Sequence, residues 1–193
     1  MKFEDGSTMR LYRQTVEDFG LYAGKELDDA ELSRLQSAAG QMSAKMRAVR
    51  ILSASSVSKA DLERRLLQKG ESKHDAQHAV EWMTDMHLLD DRKTAEHVVQ
   101  QCISKGYGLA RAKQALYEKR IPKAYWDDVL EDYPDQMEHI LAFLDAKLGQ
   151  NWEEKDLRRA VDALLRRGHS YMQIRKALNV FSDRADLQED IYG

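Results

Sequence analysis

Few residues in this chain combine the types and spacing that chemistry requires. His74 and His78 lie four apart, so on a helix they share a face and could hold one metal ion. Asp75, not the glutamate that a hydrolytic zinc site uses as its base, stands beside His74, and no third ligand follows. The apolar face of that helix centres near Met83, so both imidazoles are expected in solvent. Gly20-Leu21-Tyr22-Ala23-Gly24-Lys25-Glu26 has the outline of a phosphate loop. Only three residues separate its glycines, however, and Glu26 replaces the hydroxyl that would meet Mg²⁺, so a turn is expected. Gly106-Tyr107-Gly108 begins like a dinucleotide fingerprint, but Arg111 occupies the place of the third glycine and no strand precedes it. It reads as a helix stop and restart. Cys102 shares an inward spacing with Val98 and is expected to be a buried structural thiol. Asp90-Asp91 suits a helix start, where acidic groups meet the positive dipole end, and Asp127-Asp128 with Glu131-Asp132 suit an acidic surface. No nucleophile–base order, metal-ligand set or cofactor motif remains, so neither catalysis nor a bound cofactor is expected.

A recurrent basic column is the most informative feature. Lys69, Lys119 and Arg167 occupy equivalent positions in three similar segments, with Arg120 and Arg166 beside them. Two readings fit. A cation in the last turn of a helix complements the macrodipole by about 0.3–1 kcal/mol, and that alone could recur. The other is a stepped basic stripe facing phosphates or an acidic protein surface. Trp82, Tyr125 and Trp126 are expected in the core rather than as platforms for stacked bases.

The elements that must position these residues are helices. Of 193 residues only Pro122 and Pro134 are proline, and straight-chain helix formers abound. Hydrophobic residues make up 42% and charged residues 33%, the balance of a folded soluble chain rather than a disordered one. The N-terminus lacks the apolar run of a secretory signal, and no segment is apolar enough to span a membrane. Cys102 is the only cysteine, which excludes an internal disulfide or a cysteine cage and suits a reducing cytoplasm. The net charge is −3, but residues 41–181 carry 24 basic and 21 acidic side chains between two acidic ends. That is too little positive charge for an autonomous duplex-DNA binder.

Residues 1–40 read as a leader: a turn at Glu4-Asp5-Gly6-Ser7 within a small hairpin, a short helix opened by Thr15 and stopped near Gly20, and a helix from Asp28 to Ala39 ended by Gly40. Met42, Met46, Val49 and Leu52 then mark one face of a helix. Ser58 and Asp61 open the next, with Leu62 and Leu66 inward and Gly70 at its end. Ser72 opens a third, whose inward face holds Ala76, Ala79, Val80, Met83 and Met86. This pattern recurs at offsets of about 50 and 48 residues. Leu66-Leu67-Gln68-Lys69-Gly70 corresponds to Leu116-Tyr117-Glu118-Lys119-Arg120 and to Leu164-Leu165-Arg166-Arg167-Gly168. The expectation is an all-α chain of three tandem three-helix repeats at 41–89, 90–133 and 134–181, forming an elongated, curved array behind the leader, with an acidic tail at 182–193. The expected helices run about 41–54, 58–69, 72–88, 90–105, 108–119, 122–132, 135–148, 154–167 and 170–180.

Four segments in this order and spacing resemble the RecX family of regulators of the RecA recombinase. They are Val57-Ser58-Lys59-Ala60-Asp61-Leu62 with Leu66 and Lys69-Gly70; Leu88-Leu89-Asp90-Asp91 with Ala95; Gly106-Tyr107-Gly108 with Arg111, Leu116, Lys119 and Ile121; and Leu164 to Ser170 with Ile174. The resemblance covers about residues 42–180, and the leader is similar to an extension that some members carry. Thr94 and His169 stand where aromatics are usual, Ala112 and Arg120 where an aliphatic residue and a glycine are common, and Ala54 and Ser55 where the family is often basic. The resemblance implies a monomeric, non-enzymatic cytoplasmic protein that binds along a RecA filament and meets single-stranded DNA mainly within it. There it would limit filament growth or promote disassembly, acting on recombination, DNA repair and the SOS response. Lys69, Lys119, Arg120, Arg166 and Arg167 are the expected filament-binding residues. The alternative is an autonomous helical-repeat nucleic-acid binder acting without a recombinase.

Overall fold

The computed structural model describes residues 1–148 and 152–192, the side chains of 184–192 excepted. Its described residues form ten α-helices and one short 3₁₀ turn, in two compact units, Met1–Asp91 and Arg92–Gly193.

The first unit opens with the expected hairpin turn. Lys2 and Thr8 form an isolated antiparallel bridge, and the Phe3 N–H donates to the Ser7 carbonyl at 2.9 Å around Gly6. Helix α1 (Arg13–Asp18) starts after Tyr12, so Thr15 is not its cap; it lies inside the helix with its side chain buried. Helix α2 (Asp29–Ala54) begins as expected. The Asp28 carboxylate accepts from the Glu31 N–H, and Glu31 reaches back to the Asp28 N–H. It does not stop at Gly40, as the sequence predicts, but continues unbroken for 26 residues.

The reason lies in the next two helices, α3 (Lys59–Gln68) and α4 (Lys73–Asp85). Helix α4 packs so closely on α2 that a Cβ on Gly40 would lie 2.7 Å from Asp75 Oδ2. Gly40, Ala44 and Ala48 repeat every four residues, and the two alanines are buried together with Ala76, Ala79 and Met83 of α4. Small residues on both faces let the helix axes approach. The inward face of α2 therefore centres on its alanines: Met42 and Met46 are half-buried and Val49 is exposed. In α4 the expected face holds for Ala76, Ala79, Val80 and Met83, whereas Met86 is exposed at the helix end. Leu62 and Leu66 of α3 complete this core with no exposed surface, each contributing roughly 1.5–3 kcal/mol by leaving water. Ser58 and Ser72 accept from the N–H groups of Asp61 and Asp75, as their capping patterns predict. The buried Glu71 carboxylate fastens the α3–α4 turn onto α2 by accepting from Ser43 Oγ at 3.0 Å and Arg47 Nε at 2.6 Å.

The second unit contains α5 (Asp91–Ser104, beginning at the unit border), α6 (Leu109–Glu118), a 3₁₀ turn (Lys123–Tyr125) leading into α7 (Trp126–Leu130), then α8 (Met137–Leu148), α9 (Glu154–Arg166) and α10 (Tyr171–Tyr192). Two cores fill it. Ala95, Val98, Val99, Leu116 and Ile121 form one, with Tyr125 and Trp126 packed on it. Ile140, Leu144, Leu164, Ile174, Ala177 and Phe181 anchor the other. The backbone of α10 continues past the expected end near 180. Ile174, Ala177, Leu178 and Phe181 keep the helical spacing, and no glycine or proline occurs before Gly193. The acidic side chains expected from 184 onward lie outside the described residues.

Candidate functional site

The basic column sits on one backbone device, which also ends α4 at His87 and α5 at Gly106. Lys69, Lys119 and Arg167 are the C-cap residues of α3, α6 and α9. Each is followed by a residue in the left-handed region: Gly70 at φ +88°, Arg120 at +55° and Gly168 at +87°. The N–H groups of Glu71, Ile121 and His169 then donate back to the carbonyls of Leu66, Leu116 and Leu164, at 3.1, 3.0 and 3.2 Å. These are Schellman closures, which satisfy carbonyls that a helix end leaves unpaired. A cation at the cap faces the negative dipole end. Next to the buried leucine at the head of each closure is an exposed apolar residue: Leu67 at 41%, Tyr117 at 67% and Leu165 at 43%. This second column is not among the expected binding residues, although its signal is plain in the sequence. In each pair the first residue faces the core, so its neighbour, 100° around the helix, cannot.

Within the second unit the two ends of the column are separated. The N-terminus of α6 docks on the C-terminus of α9: the Gly108 N–H donates to the Arg167 carbonyl at 2.9 Å and the Ala110 N–H to the Gly168 carbonyl at 3.2 Å. Lys119 and Arg120 lie at the far end of this ten-residue helix, roughly 15 Å away at 1.5 Å per residue. The cations form steps rather than a cluster. They also differ in environment. The Arg167 guanidinium stacks on Phe143 with its carbon 4.5 Å from the ring centre, so it packs as well as carries charge. Arg166 is exposed and makes no ion pair among the described residues. Lys69 is exposed at the corresponding place in the first unit.

The α6–α9 junction is close-packed backbone. A Cβ on Gly108 would overlap the Gly168 carbonyl, and a Cβ on Gly168 would overlap the Arg111 amide. His169 is buried there, with Nε2 3.1 Å from the Gly106 carbonyl, which makes Nε2–H the donor. Burial holds its pKa below the ordinary histidine value, and the nearby Arg167 charge acts in the same direction. The Tyr133 hydroxyl donates to the Tyr107 carbonyl at 2.7 Å, and burial pushes that phenol up to about 12. These contacts join residues 26 and 63 apart in sequence, beyond the reach of local pattern.

The other candidates resolve as follows. Gly20 and Gly24 adopt positive φ in turns, and Lys25 Nζ donates to the Phe19 carbonyl at 2.8 Å. That lysine closes a loop, as the turn reading expects. Gly106-Tyr107-Gly108 ends α5 and begins α6. Cys102 is buried, and desolvation raises its thiol pKa. His74 is exposed beside Asp75, but His78 is half-buried rather than in solvent, with Nδ1 enclosed and unpartnered. No group of three or more ligating side chains gathers among the described residues. Trp82 packs on the first core under Lys45, whose ammonium lies 5.2 Å from its ring centre. Trp126 donates from Nε1 to the Ile121 carbonyl at 3.1 Å. Asp91 does more than open α5: its buried carboxylate accepts from the Lys59 N–H at 2.8 Å, at the start of α3. No described helix is long and apolar enough to cross a membrane.

No family model matches the chain. It is 30% identical over 137 residues to the regulatory protein RecX of Trichlorobacter lovleyi, covering 67% of this chain and 89% of that one. It is 28% identical over 141 residues to the regulatory protein RecX of Vibrio campbellii, covering 72% of this chain and 91% of the relative. Among solved structures, a regulatory protein RecX superposes with a TM-score of 0.66 at 19% identity, over 94% of this chain and 91% of the other. RecX from Lactobacillus salivarius superposes with a TM-score of 0.62 at 20% identity, over 75% and 98%. The chain thus shares the all-α fold of these structures, and the similarity in sequence spans nearly the full length of the relatives: the chain belongs to the RecX family of regulatory proteins.

Proposed function

We propose that this chain is a non-enzymatic regulator that binds RecA-type recombinase filaments on single-stranded DNA and restrains them, lowering strand exchange. Membership in a regulatory family carries this reading. The capped helix ends support it: Lys69 in the first unit, and Lys119, Arg120, Arg166 and Arg167 in the second, are cations at helix ends, where they suit phosphate contacts. On this reading the three repeats are 41–89, 90–133 and 134–181. The mild charge of residues 41–181 favours a nucleoprotein filament over naked nucleic acid, since each phosphate contact adds counterion release that a weakly basic protein cannot accumulate alone. The protein acts as a monomer in the cytoplasm.

The test is a titration into a recombinase ATPase assay on single-stranded DNA, with binding to naked strand measured in parallel from low to physiological salt. Inhibition at physiological salt without appreciable naked-strand binding is expected. Tight naked-strand binding with no effect on the recombinase would select the autonomous nucleic-acid binder instead. Arg166→Glu probes the charge cleanly, whereas Arg167→Glu also removes the stacking on Phe143. Arg166→Glu should weaken inhibition while leaving the melting temperature near wild type. Arg158→Glu with Arg159→Glu is the control on the same helix, breaking only exposed pairs with Glu154 and Asp156.

A further inference from the structure

Beside the basic steps, the second unit carries a cleft of opposite character. Helices α6 and α7 diverge around an open hollow of about 480 Å³ lined by Leu109, Lys113, Asp127, Asp128, Leu130 and Glu131. Leu109 is 40% exposed at its mouth, and Leu130 lies half-buried against the core beneath. The three carboxylates stand on the α7 side within five residues and are all exposed. Arg92 reaches Asp128 only at 4.0 Å, and Asp127 and Glu131 make no ion pair among the described residues. Glu118 and Glu154 of the same unit are by contrast engaged, by Arg111 and Arg158 respectively. The hollow thus offers an apolar floor one or two side chains wide under an acidic rim.

Resting on the proposed function, we infer that this cleft docks a basic protein segment with an apolar anchor, carried by the recombinase protomer itself. The anchor would enter between Leu109 and Leu130, and its flanking lysines or arginines would meet Asp127 and Glu131. Charge decides the class of occupant. Clustered carboxylates repel phosphate, so a nucleic-acid strand is disfavoured where a cationic peptide is attracted. Residues 92–183 would then meet the filament with two surfaces of opposite sign, cationic steps for phosphate and an acidic cleft for protein.

The experiment compares the wild-type chain with Asp127→Lys/Glu131→Lys and with the milder Asp127→Asn/Glu131→Gln. Binding to purified RecA recombinase of the same bacterium is measured by fluorescence anisotropy, with and without an oligo-dT strand and a slowly hydrolysed ATP analogue. Circular dichroism melting serves as the fold control. The reversal should weaken recombinase binding at least tenfold with or without DNA, and the neutral pair about threefold. Binding to oligo-dT alone should stay constant or tighten. Equal recombinase binding by all three proteins, with the wild type binding well, would overturn the cleft and leave the proposed function standing. Parallel loss of oligo-dT binding would also overturn it, because the occupant would then be nucleic acid. A wild type that sediments as a dimer, and a reversal variant that sediments as a monomer, would assign the cleft to a second copy instead. No recombinase binding by the wild type would remove the proposed function and the cleft's partner together.

Discussion

Arg120 should weaken the fold that presents it. It sits at φ +55° in the left-handed position after the α6 cap, where the closures of α3 and α9 have Gly70 and Gly168. An L-residue there pushes its Cβ toward the following carbonyl at about 1–2 kcal/mol. Arg120→Gly relieves that strain but adds roughly 0.5–1 kcal/mol of unfolded-chain entropy. An exposed interaction lost with the side chain is worth about 0.2–1 kcal/mol. The net expectation is a gain of up to about 1 kcal/mol, or up to roughly 4 °C in melting temperature for a chain of this length. The two glycines calibrate the argument. At Gly70 a Cβ would have nothing within 4 Å, so Gly70→Ala should cost only the backbone term, about 1 kcal/mol. At Gly168 the Cβ would overlap Arg111, so Gly168→Ala should cost several times more, about 3 kcal/mol or above. Urea melts followed at 222 nm would show the three variants as midpoint shifts with an unchanged slope. If Arg120→Gly melts at or below wild type, or if Gly70→Ala costs as much as Gly168→Ala, the strain account of this cap is wrong. On the proposed function the same Arg120→Gly protein should also restrain the recombinase less well while being more stable. That combination identifies a residue kept at a cost to stability.

Three further outcomes follow from buried polar groups. His169 has its folded pKa below the ordinary 6.5. The unfolded chain therefore takes up a proton first on acidification, so the stability His169 favours is complete above about pH 6.5 and falls as pH drops below it, until the folded pKa is reached; His169→Phe should flatten that part of a stability-against-pH series. Tyr133→Phe removes the hydrogen bond to the Tyr107 carbonyl and leaves that acceptor unpaired, which should cost about 1–2 kcal/mol in urea melts; in wild type, ultraviolet titration should show one phenol ionising near 12. Asp91→Ala strips the Lys59 N–H of its carboxylate, and about 1–2 kcal/mol should be lost, with hydrogen exchange at the α3 N-terminus accelerating first.

What the sequence makes legible here is the chemistry of neighbours. Asp28, Ser58 and Ser72 announce their helices because a cap is satisfied three residues on. Leu62 and Leu66 announce the core because a helix returns to one face every three or four residues. The failures share the opposite cause. Gly40 has the local signature of a stop, yet its role is to admit α4, a decision made at Asp75 and invisible from residue 40. The α2 face was expected at Met42, Met46 and Val49 because large apolar side chains dominate any hydrophobic pattern. Close helix approach selects the small Gly40, Ala44 and Ala48 instead. Thr15 fits a capping box by composition, but Tyr12 marks the actual helix start and Thr15 is buried. Among the candidate site residues, the cap positions were readable from the recurring motif. The stacking of Arg167 on Phe143 was not, since the two are 24 positions apart with a helix reversal between them.

The recurrence of the basic column therefore has two physical sources that Arg166 and Arg167 separate. Arg167 is the cap: its carbonyl receives Gly108, its guanidinium covers Phe143, and its charge faces the end of α9. The last two of those roles would maintain a cation there whether or not a partner exists, while the carbonyl would be supplied by any residue. Arg166 shares only the charge at the end of α9, as the basic residue of its last turn. It is one step earlier, exposed, and outside the ion pairs that occupy Arg158 and Arg159. An exposed arginine with that one task adds about 1 kcal/mol or less to stability, so a loss of regulation on replacing it that exceeds its effect on melting reports contact with a partner. By the same reasoning Lys69, Lys119 and Arg167 are poor single probes, because a defect at a cap mixes folding with binding. The residues that best test the docking reading are those the fold needs least: Arg166 on the cationic side, and Asp127 and Glu131 across the cleft.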